Sequence, residues 1–145
     1  MPKVKVEKII KAKKDKVFSI MTDFENLPSK LPKIFKSVKV ISQDGNSIIT
    51  EEFVKMAGRD IRQKVKHVIQ PTEKHEVFIL EGDAKDSHII ESYVETTKGT
   101  KIVVEGNFKL AGKLKLLGFF AKGEIEKNIN KVIDEFTEII TLKKN

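Results

Sequence analysis

The sequence predicts an α+β domain in which one long C-terminal helix lies against a curled, seven-stranded antiparallel sheet. Three observations carry this. Six runs rich in Val, Ile, Thr and Phe occupy 38–42, 47–57, 60–69, 76–82, 88–96 and 101–110. Turn signals separate them: Asp44-Gly45, Ala57-Gly58, Gln70-Pro71, Gly82-Asp83 and Lys98-Gly99. Finally, Ile125, Ile129, Val132, Ile133, Phe136 and Ile140 recur at spacings of three and four, which predicts an amphipathic helix over 124–142. With 145 residues and no linker, low-complexity tract or repeat, the whole span 1–145 reads as one domain.

The elements follow in order. Residues 3–12 (KVKVEKIIKA) form a first strand, with Val4, Val6 and later Ile10 and Ala12 on one face. Asp15 caps a helix that begins at Lys16 and carries Val17, Ile20, Met21 and Phe24 at helical spacing. Pro28 ends that helix, because its ring disfavours helix in the residue before it. Pro32 suits the first position of a second short helix over 33–37. The stretch FENLPSKLPKIFKSVKVI therefore breaks its backbone twice where it is richest in apolar side chains. An interrupted helical pair that closes one end of a cavity accounts for both features.

In the strand 60–69, Ile61, Val65 and Ile69 share one face with Gln63 and His67, while Arg62, Lys64 and Lys66 take the other. The strand 88–96 alternates Ile89, Glu91, Tyr93 and Glu95 against Ile90, Ser92 and Val94, and the pattern alone leaves its inner face open. An inward Tyr93 brings a phenol and a carboxylate, Glu91, to the interior as acid–base candidates. The cost of an unpaired buried carboxylate favours an outward Glu91. Phe53, Phe78, Phe108 and Phe136 are expected in the core. Seven antiparallel strands with one long helix must curl to bury their inner face. Side chains that do not fill the curl leave a pocket, the usual form of a small-molecule site.

Composition narrows the function. Hydrophobic residues make up 39% of the chain, which excludes disorder. The absence of cysteine excludes disulfides and thiolate metal sites and fits a reducing cytoplasm. MPKVKVEKII lacks the apolar run of a signal peptide, and no stretch is long and apolar enough to span a bilayer, so a cytoplasmic location is expected. The net charge of +7 comes from 28 basic and 21 acidic residues, with 11 lysines against four acids in 1–41. Such a field attracts anions, and a solvated lysine surface is the simpler reading. With only Arg59 and Arg62 as arginines, the chain lacks the usual reader of phosphates and guanines, which disfavours nucleic acid.

Chemical motifs are sparse. There is no Gly-x-Ser-x-Gly elbow, no His-Glu-x-x-His pair and no glycine-rich phosphate loop, and the three histidines, His67, His75 and His88, stand apart in sequence. No cofactor and no metal are expected. Residues 113–123 (KLKLLGFFAKG) crowd Leu117 and Phe120 between lysines. They read either as a gate that touches an anionic membrane or as a buried approach to the long helix.

The element order, together with AKKDKVFSIMTDFENLPSKLPKIFKSVKVI and GTKIVVEGNFKL, resembles the START/Bet v 1-like (SRPBCC) superfamily, in its polyketide cyclase/dehydrase and lipid-transport branch. The matching positions are Ala12, Asp15, Val17-Phe18, Asp23, Pro28, Pro32 and Val38–Ile41. The resemblance implies a helix-grip fold and a hydrophobic cavity for a lipid, quinone or polyketide-like molecule. The candidate lining is Phe24, Leu27 and Leu31 from the short helices, and Phe53, Gln63, Val65, His67, Tyr93 and Phe108 from the sheet. Leu117 and Phe120 come from the gate, and Ile129, Val132 and Phe136 from the long helix. Binding and carriage of a lipophile is the leading expectation. A cyclase/aromatase-type enzyme using Gln63, His67 or Tyr93 is the alternative, and a protein-partner module is a further one.

Overall fold

The computed structural model describes residues 3–56, 58–116 and 122–142. Seven strands form one sheet: β1 (Lys3–Ile10), β2 (Phe35–Asp44), β3 (Ser47–Met56), β4 (Arg59–Gln70), β5 (Lys74–Glu81), β6 (His88–Thr96) and β7 (Gly99–Asn107). Their order across the sheet is β1-β7-β6-β5-β4-β3-β2, with every neighbouring pair antiparallel. The strands β2 to β7 run as a meander, and β1 closes onto β7. Register shifts at Phe35/Ser37 and Val40/Ser42 in β2, and at Lys64/Val65 in β4, are the irregularities that bend such a sheet.

Helix α1 (Lys14–Met21) follows β1 and buries Val17, Phe18 and Met21. Its N-cap is Lys13, not Asp15. Asp15 instead lies in the first turn, where its carboxylate accepts from the Lys16 amide at 2.9 Å and faces the positive end of the helix. The helix stops at Met21, and Thr22 Oγ1 donates to the Phe18 carbonyl at 2.7 Å. A single 3₁₀ turn over Phe24–Asn26 leads into α2 (Leu27–Lys30).

Pro28 therefore opens α2 rather than ending α1. Its missing N–H costs little in a first turn, where that donor has no partner anyway. Pro32 lies in a turn, not a helix, and β2 already begins at Phe35. The expected helix over 33–37 is thus displaced to 27–30.

The C-terminal helix α4 (Lys122–Ile140) lies against β1 and α1 and buries Ile125, Ile133, Phe136 and Ile140. A short helix α3 (Gly112–Leu116) precedes it and buries Leu114. The sequence pattern does not separate α3 from the approach to α4.

The core has two centres. One joins α1, the short helices, β1, β6, β7 and the end of α4 around Phe18, Phe24, Tyr93, Ile102 and Phe136. The other joins Val4, Val54, Ile61, Val65, Ile79, Leu114 and Ile125. Phe35 and Ile129 pack against both.

Strand parity corrects two aromatic assignments. In β3 the inner face carries Thr50, Glu52 and Val54, so Phe53 points outward, where Arg62 covers its ring at 4.5 Å. Phe78 of β5 also lies on the outer face and stacks on His88 at 4.4 Å. A period-2 strand moves all its side chains together, so one inward Glu52 forces Phe53 out. Phe108 and Phe136 do face the interior.

Candidate functional site

Between the sheet and α4 lies a cavity of about 220 Å³. The short helical segments supply Met21, Phe24 and Leu27, and α4 supplies Ile125, Ile129, Val132, Ile133 and Phe136. The sheet supplies Val54, Val65, Val77, Ile79, Ile89 and Val104, with Phe108 just beyond β7. Most of this wall is hydrocarbon. The exceptions are Glu52, Gln63, His67, His75, Ser87, Glu91 and Asn128.

Of the candidates read from sequence, Phe24, Leu27, Gln63, Val65, His67, Phe108, Ile129, Val132 and Phe136 meet at this cavity. Leu31 is buried in the adjoining core without reaching the cavity. Phe53 is on the opposite face of the sheet, as described above. Tyr93 is 1% exposed and sits one layer behind the wall, with its ring edge-on to Phe18 at 5.0 Å. Leu117 and Phe120 lie outside the described residues, and so does the middle of the proposed gate.

The polar residues form one hydrogen-bonded chain across four adjacent strands. Gln63 Nε2 donates to Glu52 Oε1 at 3.3 Å, and Thr50 Oγ1 donates to Glu52 Oε2 at 2.7 Å. His67 Nε2 meets Glu52 Oε2 at 3.0 Å. His67 Nδ1 faces His75 Nε2 at 2.8 Å. His75 Nδ1 meets Glu91 Oε1 at 2.8 Å, and the Tyr93 hydroxyl donates to the same oxygen at 2.8 Å. Phe24, delivered by the 3₁₀ turn, stacks on His67 with ring centres 4.0 Å apart and 26° between planes. The broken helices thus close the cavity with an aromatic ring laid on its polar wall.

Burial pushes the Glu52 carboxyl up, but the hydrogen bond and charge attraction of His67, with Thr50 and Gln63, more than offset this and hold it below the ordinary range. Burial likewise pushes Glu91 up, and His75 and Tyr93 outweigh it, so this carboxyl is also lowered. Burial pushes the His67 imidazole down against the pull of Glu52. Burial, and then the neighbouring Glu91, hold the Tyr93 phenol well above its usual value.

An ionised Glu52 calls for N–H at His67 Nε2, and an ionised Glu91 calls for N–H at His75 Nδ1. Two lone pairs cannot face each other at 2.8 Å, so one hydrogen lies between His67 Nδ1 and His75 Nε2. Every fully buried side-chain polar atom among the described residues has a partner.

Among the described residues no cluster of three or more His, Asp or Glu could hold a metal ion. The ring nitrogens point at neighbouring polar groups rather than at a common centre.

Sequence reasoning missed Thr50, Glu52 and His75, and it placed Glu91 outside. Glu91 is inside because it does not stand alone there: His75 lies directly opposite on β5. The histidines that stand apart in sequence meet because the β4–β5 hairpin pairs Ile69 with His75, which makes His67 a diagonal neighbour on the same face. The Gln70-Pro71 turn was the available signal. Folding the chain there pairs residues whose numbers sum to a constant, and it brings the two odd-numbered histidines together.

A long helix held by a curved antiparallel sheet over an interior cavity defines the helix-grip class of START/Bet v 1-like proteins. The chain belongs to the family described as polyketide cyclase / dehydrase and lipid transport, whose model matches residues 1–141. Solved structures agree on the fold. The protein TTHA0849 from Thermus thermophilus superposes with a TM-score of 0.80 at 19% identity, over 96% of this chain and 97% of that one. A START superfamily protein from Mycobacterium smegmatis gives 0.72 at 15% identity, over 94% and 92%. The Zhui aromatase/cyclase from Streptomyces sp. R1128 gives 0.68 at 13% identity, over 95% and 87%. No curated protein matches the sequence. Among the described residues no helix is long and apolar enough to cross a membrane.

Proposed function

We propose that the protein binds a small lipophilic molecule beneath α4 and carries or presents it. The observation that carries this reading is the cavity of about 220 Å³, walled mainly by aliphatic and aromatic side chains from the sheet, α4 and the broken helices. That space equals roughly seven water molecules at ~30 Å³ each. An apolar void of about 150 Å³ is enough to take up benzene. Sites for drug-sized ligands run from about 300 to 1,000 Å³. The ligand is therefore of one- or two-ring size, smaller than a diacyl lipid or a folded polyketide chain. Family membership supports the reading, since its description joins lipid transport with cyclase and dehydrase activity.

The test is native mass spectrometry of gently purified protein, followed by organic extraction. A carrier releases a small apolar compound and loses the matching mass on denaturation. Protein that carries no adduct and takes none up from a panel of one- and two-ring lipophiles contradicts the reading.

An acid–base enzyme in the same cavity is the second reading, favoured by the chain from Glu52 to Glu91. Of the residues named for that role from sequence, Gln63 and His67 reach the wall, while Tyr93 acts through Glu91. A His67→Gln variant that loses turnover while still binding ligand distinguishes enzyme from carrier.

A further inference from the structure

Glu91 differs from the other members of the polar chain. Its Oε1 accepts both available donors, from His75 and Tyr93, each at 2.8 Å. Among the described residues no donor reaches its Oε2. Every fully buried side-chain oxygen there has a partner, so an unpartnered Oε2 must keep accessible surface. The side chain does keep 19% of its surface accessible, and it lies on the cavity wall. The neighbouring donors cannot turn to meet this oxygen. His75 spends both ring nitrogens on His67 and Glu91, and the Tyr93 hydroxyl is committed to Oε1. Glu52 shows no such vacancy, because Gln63 holds its Oε1 and Thr50 with His67 holds its Oε2.

A carboxylate oxygen facing an oily cavity calls for a hydrogen-bond donor. We propose that Glu91 Oε2 is the polar anchor of the cavity, and that its ligand is a one- or two-ring lipophile bearing a hydroxyl, phenol or enol that donates to this oxygen. The proposal rests on the lipophile-binding reading above and adds the ligand's chemical class. A ligand hydroxyl gives Oε2 a donor, whereas an ether of the same shape covers this oxygen and returns nothing. A ligand carboxylate is rejected, because it would set a second carboxylate against Glu91 with no donor between them.

Isothermal titration calorimetry of the full chain with 4-ethylphenol, 4-ethylanisole and 4-ethylbenzoate tests this. The phenol is expected to bind at least about tenfold tighter than the ether, as a charge-assisted hydrogen bond implies, and the benzoate weakest of all. In Glu91→Gln the preference for phenol over ether should collapse to within about threefold, because a neutral amide oxygen is a weaker acceptor. Equal affinity for phenol and ether in the native protein overturns the anchor and leaves lipophile binding standing. A tenfold preference that survives in Glu91→Gln also overturns it. If none of the three binds, the lipophile reading itself fails and takes the anchor with it. Should Glu91→Gln not fold, the comparison in the native protein decides alone.

Discussion

His67 and His75 face each other nitrogen to nitrogen at 2.8 Å across the β4–β5 hairpin, and Glu52 and Glu91 flank them. Both histidines are about 95% shielded, at 5% and 4% exposure, so this is an interior ion chain rather than a surface pairing. Breaking such a chain costs more than omitting it, because the remaining charges stay buried and unpaired. His75→Leu removes the ring that links His67 to Glu91 and leaves Glu91 with Tyr93 as its one remaining partner. Urea denaturation should register a loss of about 3–5 kcal/mol, the usual cost of breaking a buried pair. A loss under 1 kcal/mol would show that the chain carries no charge.

The same chain sets the acid response. A His67 lowered from 6.5 binds a proton less readily folded than unfolded, so acid below that value favours the unfolded state. Glu52 and Glu91 are lowered from 4.5, and the stability they contribute is present above 4.5 and lost as pH falls through their folded values. All three act in one direction. Thermal unfolding followed by circular dichroism should show the melting temperature falling from about pH 6.5 and continuing to fall below 4.5. In His67→Gln the first part of that decline should vanish.

Filling the void should abolish binding without unfolding the protein. Ile129 is half-buried on α4, touches both core centres and lines the cavity. Ile129→Phe places a ring in the space a ligand would occupy. Binding of 4-ethylphenol by calorimetry should fall below detection, while stability changes by no more than about 1.5 kcal/mol, as for a swap that a void can absorb.

Phe53 supplies the opposite control. It lies outside the sheet under Arg62, so Phe53→Ala should leave ligand affinity unchanged within about twofold. The lost ring–cation contact should cost about 0.5–1 kcal/mol in urea denaturation. Impaired binding in this variant would contradict the assigned strand parity.

Residue type, not pattern, misplaces Phe53. The run SIITEEFVKM offers Ile48, Thr50, Glu52 and Val54 on one face, and Ile49, Glu51 and Phe53 on the other. Alternation favours the face with Ile48, Val54 and Met56, and the expectation of a core Phe53 rests on residue type alone. The structure buries the alternating face, on which Glu52 finds three donors on its neighbours. Glu91 is misplaced because a single sequence prices a buried carboxylate as if it were alone, and its partners become visible only once register is known. By contrast, strands β3, β4 and β6 and helix α4 are legible nearly to their ends, since their periodicity comes from continuous apolar faces. The prolines mark the correct region but not the correct roles. Pro28 is as compatible with starting a helix as with stopping one, and the structure places it in the first turn of α2.

The most direct test is to look for intermolecular nuclear Overhauser effects in a solution of the native protein with toluene. Bound toluene should show cross-peaks to the methyl groups of Val65, Ile129 and Val132 and to the ring of Phe136, which face the same space from the sheet and from α4. Cross-peaks confined to outward side chains such as Phe53, Phe78 or Val94, or none at all at saturating toluene, would contradict an interior that receives a guest.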